Sequence, residues 1–350
     1  MRWGQVELHN VEESLELPGK PGVLLQRLPE SVRVQLNEGA RNATRRAAGV
    51  EIRFVNEGDG AAVVSLASYQ FPSKVYVYAG SHYVAEYQVG EEPVEIEAVY
   101  PSPGFTPWVI PEQSREGFAP KVWRLIPHGG EVHLLDVRGD GIRPPHQGET
   151  PELTYLAYGT SITYGASALT PDLSYIRQAA GRLGLDVLNL GMPGAAHCEA
   201  ALADHIAGRK DWDIASLCMS INMLNQSVPA DEFREKASYM AMTVASRNPG
   251  KPVVCISLFP SFADLGHVWP GRNPQATPDE YREVLRSIVA GSGLSNLHYV
   301  DGRALLTSYS GLSHDLLHPG NNGMIEIGER LADYIRQQGL LEQLKGQGRG

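Results

Sequence analysis

Serine is a weak nucleophile unless a base stands beside it. That base, usually histidine, needs a partner that fixes its tautomer. Ser161 follows the apolar run Tyr155 to Tyr158 in YLAYGTSITYGA. Far along the chain, SHDLLHPGNNG places Asp315 three residues before His318. On a helical turn that spacing sets two side chains on one face, within mutual reach. Asp315 can then accept from one ring nitrogen, which leaves the other free to take the Ser161 proton. Pro319 stiffens the backbone after His318, and Asn321 or Asn322 is expected to cap the closing helix. Attack on an ester carbonyl creates an oxyanion, whose donors are worth roughly 3–4 kcal/mol for each one lost. Three donors suggest themselves: the Ser161 backbone N–H, a bare backbone N–H at Gly194 in NLGMPGAAH, and the Asn222 side-chain amide in MSINMLN.

Other chemistries fit less well. GTSITYG lacks the G-K-[ST] ending of a phosphate loop, and the chain has no G-x-S-x-G elbow. His314 and His318 are four apart, as in zinc helices, but Pro319 breaks a helix there and no third strong ligand is evident. Neither a metal nor a cofactor is expected. His197, beside Gly194, is expected to line the pocket. Asp264 stands three before His267, so D-x-x-H recurs in ADLGH, without the proline and without the position near the chain's end. That stretch reads better as a substrate loop, FPSFADLGHVWPGRNP, in which Trp269 contacts the acyl or leaving group or simply packs. Taken singly, Gly194 is also a turn glycine and Asn222 a loop asparagine bonding its own backbone.

The elements that must hold these groups change character near residue 145. Before it come short alternating runs: GVLLQRL, VRVQL, VEIRFVN, AAVVSLASY, KVYVYAG, YVAEYQV, VEIEAVY, KVWRLIP and EVHLLDV. Turn signals such as NEGDG and PHGG separate them, a pattern of all-β sandwiches or barrels. No helix is expected there. Residues 101–120, rich in proline and glycine, are expected to form an irregular loop that shapes the substrate cleft, with Trp108 available to pack or bind. RPPHQGETPE is a domain boundary. Beyond it, strands LTYLAY, DVLNL, IASLCMSI, PVVCISLF and LHYV alternate with helical stretches. In one of these, Phe233, Ala237, Met240 and Val244 share a face. Such alternation predicts a parallel sheet with helices on both sides and ligands beyond its strands' carboxyl ends. The GQGRG tail is expected to fray.

The 350 residues suit one large or two ordinary domains. With 42% hydrophobic and 20% charged residues the chain has ample core material. A net charge of −10 argues against nucleic acid and against an anionic membrane surface as partners. Cys198, Cys218 and Cys255 have no metal-like spacing and suggest no disulfide framework. The N-terminal stretch lacks an apolar core, so no signal peptide is expected and the default location is cytoplasmic. Oligomeric state is not legible.

Four loops together resemble the conserved blocks of the SGNH (GDSL-type) hydrolase superfamily. Gly159-Thr160-Ser161-Ile162 resembles its first block, with Thr160 in the aspartate slot. Asn189 to Gly194 is similar to the second. Ser220-Ile221-Asn222-Met223 stands at the third, G-x-N-D, and keeps the asparagine. Asp315-Leu316-Leu317-His318-Pro319 matches the fifth, D-x-x-H-P, in full. The resemblance covers residues 152 to about 338. It implies Ser161 as nucleophile, His318 as base and Asp315 as its orienter, with Ser161, Gly194 and Asn222 as oxyanion donors.

It also implies a three-layer α/β/α, flavodoxin-like domain with a parallel sheet at 152–345. An all-β, jelly-roll-like sandwich at 1–145 would precede it, as in carbohydrate acetyl esterases and natural-product acyltransferases of that superfamily. The expected activity is a serine esterase acting on short acyl esters, with acetylated carbohydrate as the substrate expectation. An acyltransferase with the same triad is the alternative. A carbohydrate-binding protein with an inactive hydrolase domain is the second alternative.

Overall fold

Eight strands between Lys20 and Arg138 pair as one long hairpin rolled upon itself. The computed structural model describes residues 1–99 and 117–346. Trp108, most of the expected 101–120 loop and residues 347–350 of the tail lie outside the described residues. Three short strands come first: β1 (Arg2–Trp3), β2 (Val6–His9) and β3 (Glu13–Leu17). The rolled hairpin comprises β4 (Lys20–Gln26), β5 (Glu51–Asn56), β6 (Ala62–Tyr69) and β7 (Ser73–Ala79), then β8 (His82–Val89), β9 (Val94–Ala98), β10 (Val122–His128) and β11 (Glu131–Arg138). Its pairs are nested: β7 with β8, β6 with β9, β5 with β10, β4 with β11, all antiparallel.

One sheet runs β1-β2-β5-β10-β7-β8, with β12 (Ile142–Arg143) on β5, and the other runs β3-β4-β11-β6-β9. This is the expected jelly-roll sandwich. Its core joins Ile52, Phe54, Val75, Val77 and Leu125 of one sheet to Val64, Leu66, Ile96, Val132 and Leu134 of the other. Each set comes from alternate residues, because successive side chains on a strand point to opposite faces. The first sheet also holds a buried ion cluster. Arg124 grips Glu51 with Nε and Nη2, both at 2.7 Å, and Arg53 Nε adds a third bond at 2.8 Å.

Two expectations for this region fail. Helices do occur: α1 (Glu30–Arg33) and α2 (Glu38–Ala43). VRVQL, expected as a strand, begins inside α1. The Pro29 carbonyl accepts from the Val32 and Arg33 N–H groups and starts a helical turn there. Elements of four and six residues are too short to leave a helical period in the sequence.

The chain divides into two compact units that are discontinuous in sequence. The first comprises Met1–Arg33, Thr44–Leu153 and Gly184–Leu188; the second comprises Val34–Ala43, Thr154–Leu183 and Asn189–Gly350.

The remaining strands are β13 (Thr154–Gly159), β14 (Asp186–Gly191), β15 (Ile214–Cys218), β16 (Val253–Ile256) and β17 (Leu297–Val300). They lie in the order β14-β13-β15-β16-β17, with β13, β15, β16 and β17 paired parallel. Their near-continuous burial explains the unbroken apolar runs, since both sheet faces are covered. The order is the flavodoxin-like one, whose switch point falls between β13 and β15. Helix α4 (Tyr175–Leu183) packs with α10 (Asn321–Gln337). Helix α5 (Ala200–Gly208) packs with α7 (Ala230–Ser246), which also meets α8 (Pro278–Gly291). Phe233, Ala237, Met240 and Val244 form the buried face of α7 as the periodicity predicts. Among the described residues no helix is long and apolar enough to cross a membrane.

Candidate active site

The strand β13 ends at Gly159, and the chain turns at once into α3 (Ser161–Tyr164). The turn is tight because two glycines permit it. A Cβ on Gly159 would lie 2.1 Å from Thr163 Oγ1, and one on Gly191 would lie 2.3 Å from the Tyr164 nitrogen. Thr160 Oγ1 accepts from the Ile162 N–H at 3.3 Å and caps α3. This is what the residue in the aspartate slot does. Ser161 is thereby presented just past the carboxyl end of β13, beside the switch point.

Ser161 Oγ lies 2.8 Å from His318 Nε2, and His318 Nδ1 lies 2.6 Å from Asp315 Oδ2. With Nδ1–H donating to the carboxylate, Nε2 is the acceptor facing the hydroxyl. The Asp315–His318 contact was expected on a helical turn, but the structure holds it differently. Ser313 N–H donates to the His318 carbonyl at 2.7 Å, Leu312 bridges to Pro319, and Leu316 takes φ +51°. The Asp315 carboxylate organises this loop with its other oxygen. Oδ1 accepts from Ser313 Oγ and from the Leu317 and His318 N–H groups at 2.8, 2.9 and 2.9 Å. Partial burial alone would raise the Asp315 pKa. The His318 ring, the two backbone N–H groups and the Ser313 hydroxyl outweigh it and hold the carboxyl well below its usual range. The expected capping by Asn321 or Asn322 is also corrected. Gly320 is the N-cap of α10, and Asn321 Oδ1 accepts from the Leu169 N–H instead.

A cleft of about 350 Å3 opens over Ser161 and His318, with Gly194, Asn222, Trp269 and Leu317 in its walls. Gly194 sits at φ +68°, a conformation suited to glycine. Asn222 lies in α6 (Ile221–Asn225), which starts just after β15. The N–H groups of Ser161 and Gly194 and the Asn222 Nδ2 make no hydrogen bond within the described residues. They are therefore free to receive an oxygen anion.

Four side chains pin the loop that carries Gly194. Asn222 Oδ1 accepts from the Ala196 N–H at 3.1 Å, and Gln226 Nε2 donates to the Gly194 carbonyl at 2.6 Å. Tyr158 Oη accepts from the Cys198 N–H at 2.9 Å, and Asn37 Nδ2 donates to the Ala195 carbonyl at 3.0 Å. Residues 34–43, and so Asn37, belong to the second unit.

His197 does not reach the cleft. Its ring is half-buried toward Glu199, Glu232 and Lys236; Nε2 is enclosed without a partner, and burial lowers its pKa. Among the described residues His267 has no aspartate to orient it, because Asp264 is taken by Arg282 and by the Ser261 N–H. Instead His267 lines a neighbouring hollow of about 490 Å3 that shares Asn225 and Trp269 with the first. Trp269, 42% exposed, packs against Phe262 with ring centres 6.0 Å apart. Sequence reasoning missed Asn37, Tyr158, Asn225, Gln226 and Arg272. Only Arg272 left a signal: it is the single arginine, with no lysine, in the loop FPSFADLGHVWPGRNP.

No curated protein matches the chain in sequence. Among solved structures, the chain is similar to the salicylyl-acyltransferase SsfX3 from a tetracycline biosynthetic pathway, at 17% identity and TM-score 0.77, over 96% of each chain. It is also similar to a family two carbohydrate esterase from Clostridium thermocellum, solved with cellohexaose. Identity there is 15% and TM-score 0.60, over 85% of this chain and 94% of that one. A third is the acetyl xylan esterase Est2A from the rumen bacterium Butyrivibrio proteoclasticus, at 10% identity and TM-score 0.60, covering 98% and 97%. At such identities these likenesses establish the two-part fold. The sequence of residues 157–324 matches the GDSL-like lipase/acylhydrolase family.

Proposed function

We propose that the protein is a serine esterase of short acyl esters, with acetyl esters of carbohydrates as its substrate class. One observation carries this reading: the unbroken line from Ser161 Oγ through the His318 ring to Asp315, at 2.8 and 2.6 Å. Ser161 Oγ attacks the ester carbonyl carbon while its proton passes to His318 Nε2. The imidazolium that forms is stabilised by Asp315, which stays ionised. The carbonyl oxygen becomes an anion and is met by the N–H groups of Ser161 and Gly194 and by Asn222 Nδ2. The tetrahedral intermediate collapses, and the C–O bond to the alcohol breaks. The leaving oxygen takes the proton from Nε2. Water then attacks the acyl-Ser161 carbonyl and gives its proton to His318; the second tetrahedral intermediate collapses, the acyl C–Oγ bond breaks, Ser161 Oγ takes the proton from Nε2, and the acid is released. In this reading residues 1–145 and 152–345 are the two domains, and the second carries the chemistry.

A second reading, transfer of the acyl group to an alcohol or amine, is favoured by the hollow beyond Trp269. It gives an acceptor room beside the acyl-enzyme. The likeness to an acyltransferase over nearly the whole chain supports it at the level of fold. Turnover of p-nitrophenyl acetate by the wild type, and its loss in Ser161→Ala, tests the nucleophile. Product analysis with a sugar alcohol added separates the readings: acetate alone means hydrolysis, acetylated acceptor means transfer. Wild type that turns over no ester and acylates no acceptor would refute both.

A further inference from the structure

We propose that Arg272, with Asn225 and Trp269, recognises a carboxylate on the ester bound at Ser161, so that the substrate is a monoanionic ester. This deepens the esterase reading and rests on it. Arg272 and Trp269 share a turn in which the Arg272 N–H donates to the Trp269 carbonyl at 3.0 Å, and both side chains line the cleft over Ser161.

The charge balance around this turn is unusual for a chain with ten more acids than bases. The carboxylates nearby in sequence are already matched. Asp264 and Asp279 bind Arg282, Asp279 also binds Arg303, and Glu280 closes a capping box with Thr277. Arg272 makes no ion pair or side-chain hydrogen bond within the described residues. The cleft it faces has no carboxylate among its described lining. Its other polar walls are the neutral amides of Asn222, Asn225 and Gln226, besides Ser161 and His318. A guanidinium offers five donors in a planar fork that fits a carboxylate with two parallel bonds.

The half-buried Asn225 amide also lacks a partner within the described residues and lines both hollows. It can bond a second polar group of the same ligand. Trp269 stands with them in that lining and offers a flat apolar face. One cation and no second one in the lining matches a monoanion; a phosphate dianion would leave a charge unmatched.

The test uses two esters of equal shape, 4-acetoxybenzoate and its uncharged methyl ester. Wild type should prefer the anion in kcat/KM. Arg272→Ala should lower the anion-to-neutral ratio at least about tenfold, chiefly through KM. Arg272→Lys should restore part of it, and Arg272→Glu should invert it. Binding of 4-acetoxybenzoate to Ser161→Ala, measured by calorimetry, gives a readout that needs no turnover. Adding Arg272→Ala should weaken it by the same factor. An unchanged ratio and unchanged binding in Arg272→Ala would overturn the proposal even if both esters are hydrolysed. Loss of all turnover in wild type with Arg272-dependent binding intact would overturn the esterase reading alone. Inhibition by phenyl phosphate stronger than by benzoate, and dependent on Arg272, would overturn the carboxylate assignment.

Discussion

Asn222 and Ala196 share one hydrogen bond that sets the direction of an amide. Oδ1 accepts from the Ala196 N–H at 3.1 Å, which leaves the Nδ2 donors turned to the cleft beside Ser161. The same bond that fixes the loop therefore aims the donor. Asn222→Ala removes both. Its kcat on p-nitrophenyl acetate should fall about 10²–10³-fold, the range for one lost oxyanion donor. A fall confined to KM would remove Asn222 from that role.

Gln226 acts one step further back. It holds the Gly194 carbonyl at 2.6 Å and so fixes the peptide whose neighbouring N–H faces the cleft. A single hydrogen bond contributes about 0.5–1.5 kcal/mol. Gln226→Ala should thus reduce kcat about 2–10-fold with KM nearly constant, and Gln226→Glu should not restore it, since a carboxylate cannot donate. Rescue by Gln226→Glu would contradict this positioning role.

Ser220 precedes α6 at φ +117° and ψ −58°, where a side chain is strained, and its buried hydroxyl has no partner among the described residues. Such backbone strain costs about 1–3 kcal/mol, part of which glycine gives back in unfolded-chain entropy. Ser220→Gly should stabilise the protein by about 1 kcal/mol in chemical denaturation. A destabilised variant would mean that the serine is held there by something other than strain-tolerant packing.

Only part of this arrangement is visible in the sequence. Ser161, Asp315 and His318 were legible because each sits in a short motif whose chemistry depends on residue type. The parallel sheet was legible from alternating strand and helix patterns. The jelly roll's nesting was not, because β4 meets β11 across more than a hundred residues and no local pattern records the pairing. Nor was the support of the Gly194 loop. Asn37 lies 158 residues from Ala195, and the helix that it precedes is too short to show a period. His197 was misjudged because adjacency to Gly194 says nothing of which way a ring turns.

Glu51 lies between Arg53 and Arg124, all three buried. Glu51→Ala would remove the carboxylate that Arg124 grips with two bonds, while Arg53 keeps its pair with Asp186 at 2.6 and 2.7 Å. Breaking a buried ion pair by removing one partner costs about 3–5 kcal/mol. Equilibrium urea denaturation should register that loss, and a change below about 1 kcal/mol would mean that Arg124 finds water or another acceptor.

Asp315 gives the pH prediction. Its folded-state pKa lies below that of an unfolded aspartate, about 3.9, so its contribution to stability is fully present above that value. The contribution is lost as pH falls from about 4 through the folded pKa. The melting-temperature gap between wild type and Asp315→Asn should therefore be constant from pH 7 to about pH 5 and close at lower pH. A gap that widens in acid would reverse the assigned sign. In the same variant kcat should fall about 10³–10⁴-fold, because the imidazole loses its fixed tautomer.

The proposed chemistry depends above all on a serine activated by the imidazole beside it. Treatment with a fluorophosphonate, followed by peptide mass spectrometry, measures this directly. One adduct on Ser161 is predicted, absent in Ser161→Ala and formed far more slowly in His318→Ala. No adduct in wild type, an adduct on another residue, or equal labelling rates in His318→Ala would contradict it.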